Sequence, residues 1–248
     1  MRTRAGLACF GLAFSTTGLL FAQGYDELGS YGGTHEYESE QYGAAELRFG
    51  PYIPNVDEDV NGSPYEDTFG DKFRLAWGFE VDWQALRIPG VGTLGPGAGW
   101  SRVKASGKAP LAASGERSGE TTSLTIMPMH AVAVFRVDTL SRNLGIPLVP
   151  YAKLGFGYAL WTCHSGGSRC RAPDGTLGRG AEYGYVYAVG LMLELDWLDP
   201  ESSRNMDNSM GVNSSYLFGE LFGSDISSAG NGMQVGTRTW VVGLAFEF

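Results

Sequence analysis

The chain has 248 residues, including 37 glycines, with 12% aromatic and only 18% charged residues. This composition excludes a disordered chain, a coiled coil and a helical bundle, and it favours a glycine-rich all-β protein of one large or two small domains. The 18 basic and 27 acidic residues give a formal net charge of −9. That charge argues against nucleic-acid binding, because no basic excess offsets the repulsion from phosphates.

The N-terminus has the pattern of a secretory signal peptide. Two arginines precede an uncharged apolar run from Ala5 to Phe21, and a polar segment follows. An uncleaved transmembrane anchor is the alternative, because the run approaches the roughly 18 residues that can span a bilayer. The serines, threonines and glycines of the run favour the signal peptide. We therefore expect a signal peptide at 1–22, a flexible exported segment at 23–43 and a folded domain at 44–248.

Beyond this leader, large apolar residues alternate with polar or small ones, which predicts β-strands. Eight such strands follow in chain order: Ala45 to Tyr52, Phe73 to Trp83, Val91 to Lys104, Thr121 to Arg136, Leu148 to Trp161, Glu182 to Trp197, Ser214 to Phe222 and Gln234 to Phe248. The connections between them alternate in length, except that the sixth, Leu198 to Asn213, is long for a periplasmic turn. This asymmetry is typical of barrels with long extracellular loops and short periplasmic turns.

The second and sixth strands carry the clearest pattern. Every second position of the second strand is large and apolar: Phe73, Leu75, Trp77, Phe79, Val81 and Trp83. The sixth repeats this with Tyr183, Tyr185, Tyr187, Val189, Leu191, Leu193, Leu195 and Trp197. Both exceed the roughly 5–6 residues of a soluble strand and suit the 9–11 or so tilted residues of a transmembrane strand. Aromatic residues at their ends predict girdles at two membrane interfaces.

Two connections carry further signals. The loop after the fifth strand contains Cys163 and Cys170, and an exported chain with two cysteines on a short glycine-containing loop predicts a disulfide. Metal binding with His164 as a third ligand is the alternative, but it needs a fourth ligand from elsewhere. After the sixth strand, an Asp-Pro-Glu sequence at 199–201 and Gly211 predict the beginning and end of a short periplasmic helix.

The last strand ends the chain with an aromatic residue and has one apolar face: Trp240, Val242, Leu244, Phe246 and Phe248. This pattern resembles the C-terminal signature of bacterial outer-membrane β-barrels, which the barrel-assembly machinery recognises. The resemblance implies an outer-membrane location. It also implies outer-membrane lipid, lipopolysaccharide and the assembly machinery as partners.

The whole chain resembles the small OmpA/OmpX-type barrels in size and strand count, and more closely a family of myxobacterial outer-membrane β-barrel proteins. The segments that carry this second resemblance are Phe49-Gly50-Pro51-Tyr52, Pro147 to Lys153, Ser215 to Phe218 and Gly243 to Phe248. The family brings no established activity or catalytic residues. The resemblance therefore supports only the fold and the location: an all-β, eight-stranded antiparallel up-and-down transmembrane β-barrel at 44–248 in the outer membrane, with the segment 23–43 in the periplasm. Separately, no motif in the sequence predicts a cofactor or a metal site.

Strand parity also predicts which charged residues point into the barrel: Glu46, Arg48, Lys72, Arg74, Glu80, Asp82, Lys153, Glu194, Asp196 and Glu247. The lumen of an eight-stranded barrel is just wide enough for side chains to fill. Unpaired charges away from water are strongly destabilising, so we expect these residues to pair and to leave no wide pore. A narrow gated channel along the same charges is the alternative.

Two further features bear on function. His130 shares the parity of Leu124, Ile126, Val132 and Val134, which predicts a lipid-facing position unless Pro128 marks a bulge or His130 lies near an interface. Ser123 has the opposite parity, so no catalytic His/Ser pair is evident. The first long loop is acidic, and it is either a solvated loop or a place for divalent ions that bridge to lipopolysaccharide. Its acidic residues are Asp57, Glu58, Asp59, Glu66 and Asp67.

Three functions are compatible with these patterns. The first is a non-enzymatic outer-membrane barrel with an ion-paired interior and a structural or surface-interaction role. The second is the narrow channel on the same fold. The third is a secreted, soluble, lipocalin-like barrel that binds an apolar ligand and has the opposite polarity, with its apolar face inside. Strand length, aromatic belts and Phe248 favour the membrane barrel.

Overall fold

A computed structural model describes residues 42–58, 60–111, 115–172, 175–198, 200–230 and 232–248 of the chain. The predicted signal peptide at 1–22 lies outside the described residues. So does the predicted periplasmic segment at 23–43, except for its last two residues.

Strands dominate the described chain. Eight are long: β1 (Gly43–Tyr52), β2 (Arg74–Trp83), β4 (Gly92–Gly107), β5 (Thr122–Arg136), β6 (Leu148–Ser165), β8 (Arg179–Glu194), β9 (Ser214–Ile226) and β10 (Arg238–Glu247). Two are short: β3 (Leu86–Ile88) and β7 (Ser168–Arg169). A 3₁₀ turn at Val56–Glu58 and three helices complete the described elements: α1 (Pro64–Phe69), α2 (Thr139–Leu144) and α3 (Pro200–Met210).

The eight long strands form one closed antiparallel barrel. Neighbours pair in the order β2-β1-β10-β9-β8-β6-β5-β4, and β2 pairs with β4 to close the sheet. The first and last strands meet with Ala44 opposite Glu247, and the closure places Trp77 opposite Arg102. Closure leaves none of the eight strands as an unpaired edge, so their backbone groups bond within the wall. The predicted eight-stranded up-and-down barrel is confirmed.

The two ends of the barrel differ. Residues 53–73, 108–121, 166–178 and 227–237 connect the strands at one end, here called the loop end. The opposite turn end carries the connections 84–91, 137–147 and 195–213, together with the beginning of β1 and the end of β10. The predicted helix is present as α3, and Gly211 follows it with a φ of +69°. The sequence reasoning missed α1 and α2, which are helices of six residues each inside connections.

No helix among the described residues is both long and apolar enough to cross a membrane.

The outer wall of the barrel is apolar. Alternate residues of each strand point outward, and Leu154 and Phe156 on β6 are 65% and 80% exposed. Aromatic residues lie toward both ends, with Trp83 and Trp197 at the turn end and Tyr183 and Trp240 toward the loop end. This polarity is the opposite of that of a lipocalin-like barrel, whose apolar face is inside. The soluble-barrel alternative is therefore wrong.

The inward and outward faces predicted for strand β5 are reversed in the structure. Leu124, Ile126, Val132 and Val134 are buried inside the barrel, and His130 on the same face is buried with them. Apart from Arg136 at its end, both faces of this strand are apolar or neutral, so alternation alone did not distinguish the lumen from lipid. A Cβ at Gly99 on the adjacent strand β4 would collide with the His130 ring, so glycine makes room for this imidazole inside the lumen.

Replacing Leu154 by Arg tests the lipid-facing wall. Leu154 lies in the middle third of β6. We therefore expect the arginine to destabilise the folded barrel and to lower its free energy of unfolding in a bilayer by about 2–4 kcal/mol. Leu144→Arg is the matched control, because Leu144 is 64% exposed at the turn end in α2. Urea unfolding in lipid vesicles would measure both variants. Equal stabilities would contradict a lipid-facing Leu154.

Candidate functional site

The lumen contains a compact network of buried charges. Strand alternation turns Glu46 and Arg48 of β1 and Glu80 and Asp82 of β2 inward, and the register places Glu46 directly opposite Glu80. Like charges that face each other across a strand pair are destabilising. This arrangement therefore needs cations between the two carboxylates.

Arg48 and Lys153 supply those cations. One terminal nitrogen of Arg48 donates to Glu46 Oε2 and Glu80 Oε2, each at 2.8 Å, and the other donates to Glu220. Lys153 Nζ lies 2.7 Å from Glu46 Oε2 and 2.8 Å from Glu80 Oε1. The two cations thereby join strands β1, β2, β6 and β9 across the lumen.

Arg136 forms the second half of the network, nearer the turn end. Its two terminal nitrogens donate to the two oxygens of Asp82, each at 2.7 Å, in the bidentate geometry that makes such pairs strong. The same guanidinium lies 3.4 Å from Glu46 Oε1 and 3.7 Å from Glu247 Oε1. Gln84 donates to Glu247 at 2.7 Å and Tyr216 does so at 3.0 Å.

His130 also belongs to the network. Its Nε2 lies 2.8 Å from Glu80 Oε2. A cavity of about 40 Å³, lined in part by His130, Arg48 and Ser101, lies beside it and holds a few water molecules at most. Glu46, Glu80 and Asp82 bring carboxylate oxygens within 4.8 Å of one another, the spacing of a metal site. Arg48, Lys153 and Arg136 already contact those oxygens, so the cluster is an ion-pair network.

The structure brings together six of the ten predicted interior charges: Glu46, Arg48, Glu80, Asp82, Lys153 and Glu247. A seventh, Glu194, is buried apart from them at the turn end, where Ser141 of α2 donates to it.

The other three predicted residues lie outside the network. Lys72 precedes β2 and is exposed. Arg74 donates instead to the carbonyls of Lys72 at 2.9 Å and Phe69 at 2.6 Å, and so fixes the end of α1. Asp196 follows β8 and accepts the Ser215 amide at 3.2 Å, and its partial burial raises the pKa of its carboxyl. In each case the residue lies beyond the end of the paired strand or at its first position, where parity no longer decides direction.

Sequence reasoning also missed Arg136, Glu220 and His130. Arg136 is the last residue of β5 and shares the misassigned parity of that strand. In β9, apolar residues occupy both faces, with Phe218 buried and Leu221 exposed, so the inward position of Glu220 was ambiguous. A charge inside a strand that lipid surrounds is itself the signal that was available, because such a residue must face the lumen.

An apolar layer lies between the network and the loop end. Its buried members in the loop half of the barrel include Val103, Ile126, Val186, Ile226 and Val235. Above this layer a cavity of about 470 Å³ opens among the loops, lined mainly by apolar side chains. The lumen is therefore stacked, with ion pairs below, an apolar layer above them and a cavity at the loop end.

Specific bonds hold the loops around that cavity. Asp57 accepts the backbone amides of Tyr65 at 2.8 Å and Glu66 at 3.0 Å, and so caps α1, one role for a residue of the acidic loop. Burial raises the pKa of the Tyr65 phenol. Arg117 donates to the carbonyls of Asp67 at 2.9 Å and Lys108 at 3.1 Å, which joins the first two loops.

The predicted disulfide is confirmed. Cys163 near the end of β6 is bonded to Cys170, with the two Cα atoms 5.4 Å apart. It closes a hairpin that turns through Gly166 and Gly167, both at positive φ. The hairpin forms one wall of the loop-end cavity.

The closed barrel, its apolar outer wall and its charged interior define a transmembrane β-barrel of the outer-membrane type. Solved structures of such barrels are similar to this chain. Ail, the attachment invasion locus protein of Yersinia pestis, is 12% identical with a TM-score of 0.42, and the match covers 84% of this chain and 99% of Ail. The N-terminal β-barrel domain of Pseudomonas aeruginosa OprF is 11% identical with a TM-score of 0.39, covering 84% of this chain and all of that domain.

The outer membrane protease OmpT from Escherichia coli is a third similar structure. It is 8% identical with a TM-score of 0.32, and the match covers 84% of this chain and 94% of OmpT. No protein-family model and no curated protein matches the sequence. The strand pairing and surface of this chain itself carry the assignment of its class.

Arg136→Met tests the charge network. The change leaves Asp82 and Glu247 buried with fewer partners, so we expect the free energy of unfolding to fall by about 3–5 kcal/mol. Adding Asp82→Leu removes the principal unpaired carboxylate and should restore part of that loss. Urea unfolding in lipid vesicles measures the single and double variants. A single variant as stable as the wild type would mean that Arg136 is not needed to hold these acids in the lumen.

Proposed function

We propose that the protein is a non-enzymatic integral outer-membrane barrel with a structural or surface-interaction role, which presents its loops on a rigid wall. The observation that carries this proposal is the filled interior. A network of buried ion pairs and an apolar layer occupy the lumen below the loops. Such a barrel anchors and displays a surface, and it opposes the passage of water and ions.

The sizes of two described cavities next to the charge network support a plugged lumen. The cavity beside His130 measures about 40 Å³, and one near Arg136 at the turn end measures about 20 Å³. A single water molecule needs about 10–15 Å³ of such space, so the first cavity holds a few waters at most and the second holds about one. The apolar layer separates the first cavity from the loop-end cavity, which opposes the channel alternative.

The environment of His130 supports a non-enzymatic role. A general base needs a nucleophile within hydrogen-bond reach and space for a substrate. His130 contacts Glu80 and lies 6.2 Å from the Phe222 ring, between ring centroids, and the adjacent cavity is too small for a lipid or a peptide. The contact with Glu80 gives His130 a place in the charge network and accounts for its burial without a catalytic role.

Export and assembly complete the proposal. Residues 1–22 serve as the signal peptide, and the apolar face that ends at Phe248 serves as the assembly signal. That face lies outward on β10, where Trp240 and Val242 are exposed. Membership of the myxobacterial barrel family rests on the four segments identified in the sequence. A segment at 23–43 that extends into the periplasm agrees with the position of Gly43 at the turn end.

Phosphorylated lipid of the outer leaflet is the partner that the outer wall fits best. Arg102 and Lys104 point outward from β4 toward the loop end, and neither has an ion-pair or hydrogen-bond partner among the described residues. Below them Trp100 packs edge-on against Trp77, with ring centroids 5.4 Å apart. Aromatic rings at an interface with cations above them match a lipid whose phosphates lie over its acyl chains.

Conductance in planar lipid bilayers tests the plugged interior. We expect the folded protein to insert without stepwise currents, while a wide porin measured alongside conducts. Folding is checked first by gel mobility with and without boiling, since a folded barrel migrates differently from the boiled chain. Stable unitary steps from the heat-modifiable form would overturn the plugged barrel and support the narrow channel.

Charge reversal of Arg102 and Lys104 together tests the lipid partner. Each cation near a negatively charged lipid surface contributes about 1 kcal/mol, so the double variant should lose at least about 2 kcal/mol of stabilisation in vesicles of lipopolysaccharide, because the two new acids are also repelled. In vesicles without lipid phosphate the double variant and wild type should unfold alike. Lys108→Glu, in the loop beyond β4, is the control and should change little. Equal losses in both vesicle types would contradict phosphate recognition.

A further inference from the structure

The loop-end cavity has the size and lining of a ligand site. It measures about 470 Å³, within the range of about 300–1,000 Å³ that is typical of small-molecule pockets. Leu124 and Trp161 of the barrel wall form its floor, Tyr65 and Phe69 of α1 form one side, and the hairpin closed by Cys163 and Cys170 forms the other. We propose that this cavity binds a small amphiphile with an apolar body and one anionic head group.

The apolar body follows from the lining. Aromatic and aliphatic side chains dominate, and the tyrosine and phenylalanine rings of α1 lie 5.1 Å apart, centroid to centroid, along one side. A ligand in this space would remove apolar surface from water on both sides of the contact, which contributes roughly 25 cal/mol for each Å² buried.

The anionic head follows from the one charged residue among the described lining residues, Arg171. Arg171 is exposed, and its guanidinium donates to the carbonyl of Gly175 at 3.1 Å. A guanidinium has five N–H donors, and it matches a carboxylate, sulfonate or phosphate in a bidentate fashion. The ligand would therefore place its apolar body between α1 and the hairpin, with its head group near Arg171.

The cavity is largely preformed, which reduces the entropy lost on binding. Asp57 caps α1, Arg74 fixes the end of α1, and the disulfide closes the hairpin. Trp161 is also held, because its Nε1 donates to Glu182 at 3.2 Å, and Glu182 in turn accepts a hydrogen bond from Ser228 at 2.5 Å. The floor and both sides are thus fixed by contacts that need no ligand.

This inference rests on the proposed function in one respect, because a lumen filled below the cavity would keep the ligand at the outer surface. The two are tested separately. Conductance decides whether the lumen is filled, while ligand binding decides whether the cavity is a site. A barrel that conducts and still binds would overturn the first proposal alone.

Photo-crosslinking tests the site with a defined probe. The full-length folded protein in lipid nanodiscs is irradiated with a dodecanoate that carries a diazirine at its chain end, and the labelled peptides are identified by mass spectrometry. We expect labelling of α1 and of the disulfide hairpin. Unlabelled dodecanoate should compete, and dodecylammonium, which has the same chain and the opposite charge, should not.

Variants separate the cavity from the surrounding lipid. Ala109→Trp fills the cavity and should abolish labelling of α1 and the hairpin, whereas Ala98→Trp makes the same change on the outer wall and should not. Arg171→Glu should weaken competition by dodecanoate by about tenfold or more, as expected for a lost charge-assisted hydrogen bond. Arg169→Glu is the matched control, because Arg169 is an exposed arginine two residues before Arg171 and outside the lining.

Heat-dependent gel mobility confirms that each variant is folded before its labelling is compared. Labelling confined to the lipid-facing strands would overturn the proposal, because it would mean that the probe only dissolves in the bilayer. Equal competition by dodecylammonium, or equal effects of the Arg169 and Arg171 variants, would overturn the anionic head group.

Discussion

The structure depends on one constraint, which is that every charge inside the barrel must find its partner there, since lipid surrounds the wall. Arg48 finds one of its partners far away in the sequence, because it contacts Glu220, 172 residues away. Its pairs fix the relative position of β1, β2 and β9. A slip of one residue in any of these strands would turn the charges toward lipid, so the network specifies the register of the wall as well as filling the lumen.

The network is acidic in excess, and neutral donors compensate for the excess. Its described members include three basic residues against five acidic ones: Arg48, Arg136 and Lys153 against Glu46, Glu80, Asp82, Glu220 and Glu247. Tyr151 donates to Glu220 at 2.9 Å, and Tyr216 and Gln84 both donate to Glu247. Because hydrogen bonds to charged groups contribute about 1.5–3 kcal/mol each, these neutral donors help to keep the additional carboxylates buried.

The fold was more predictable than the site, for physical reasons that particular strands illustrate. Strand β2 has large apolar residues on one face and small or charged residues on the other, so alternation gave its position and its inward charges. Strand β5 has apolar residues on both faces, and the same reasoning placed His130 outside. The pairing of Arg48 with Glu220 depends on the curvature of a closed wall, which no local pattern contains. Arg74 was misassigned because a helix that sequence did not predict ends beside it.

The layers of the lumen connect the membrane part of the molecule to its exposed end. Ion pairs fill the interior from the turn end upward, and the apolar layer above them supports the floor of the loop-end cavity at Leu124. A charged head group cannot descend through that apolar layer without losing its hydration, which would cost several kcal/mol. The only cation lining the cavity, among described residues, is the exposed Arg171, which directly follows the disulfide hairpin. In the plugged barrel that we propose, the same layering would orient an amphiphile with its apolar body toward the barrel and its charge toward water.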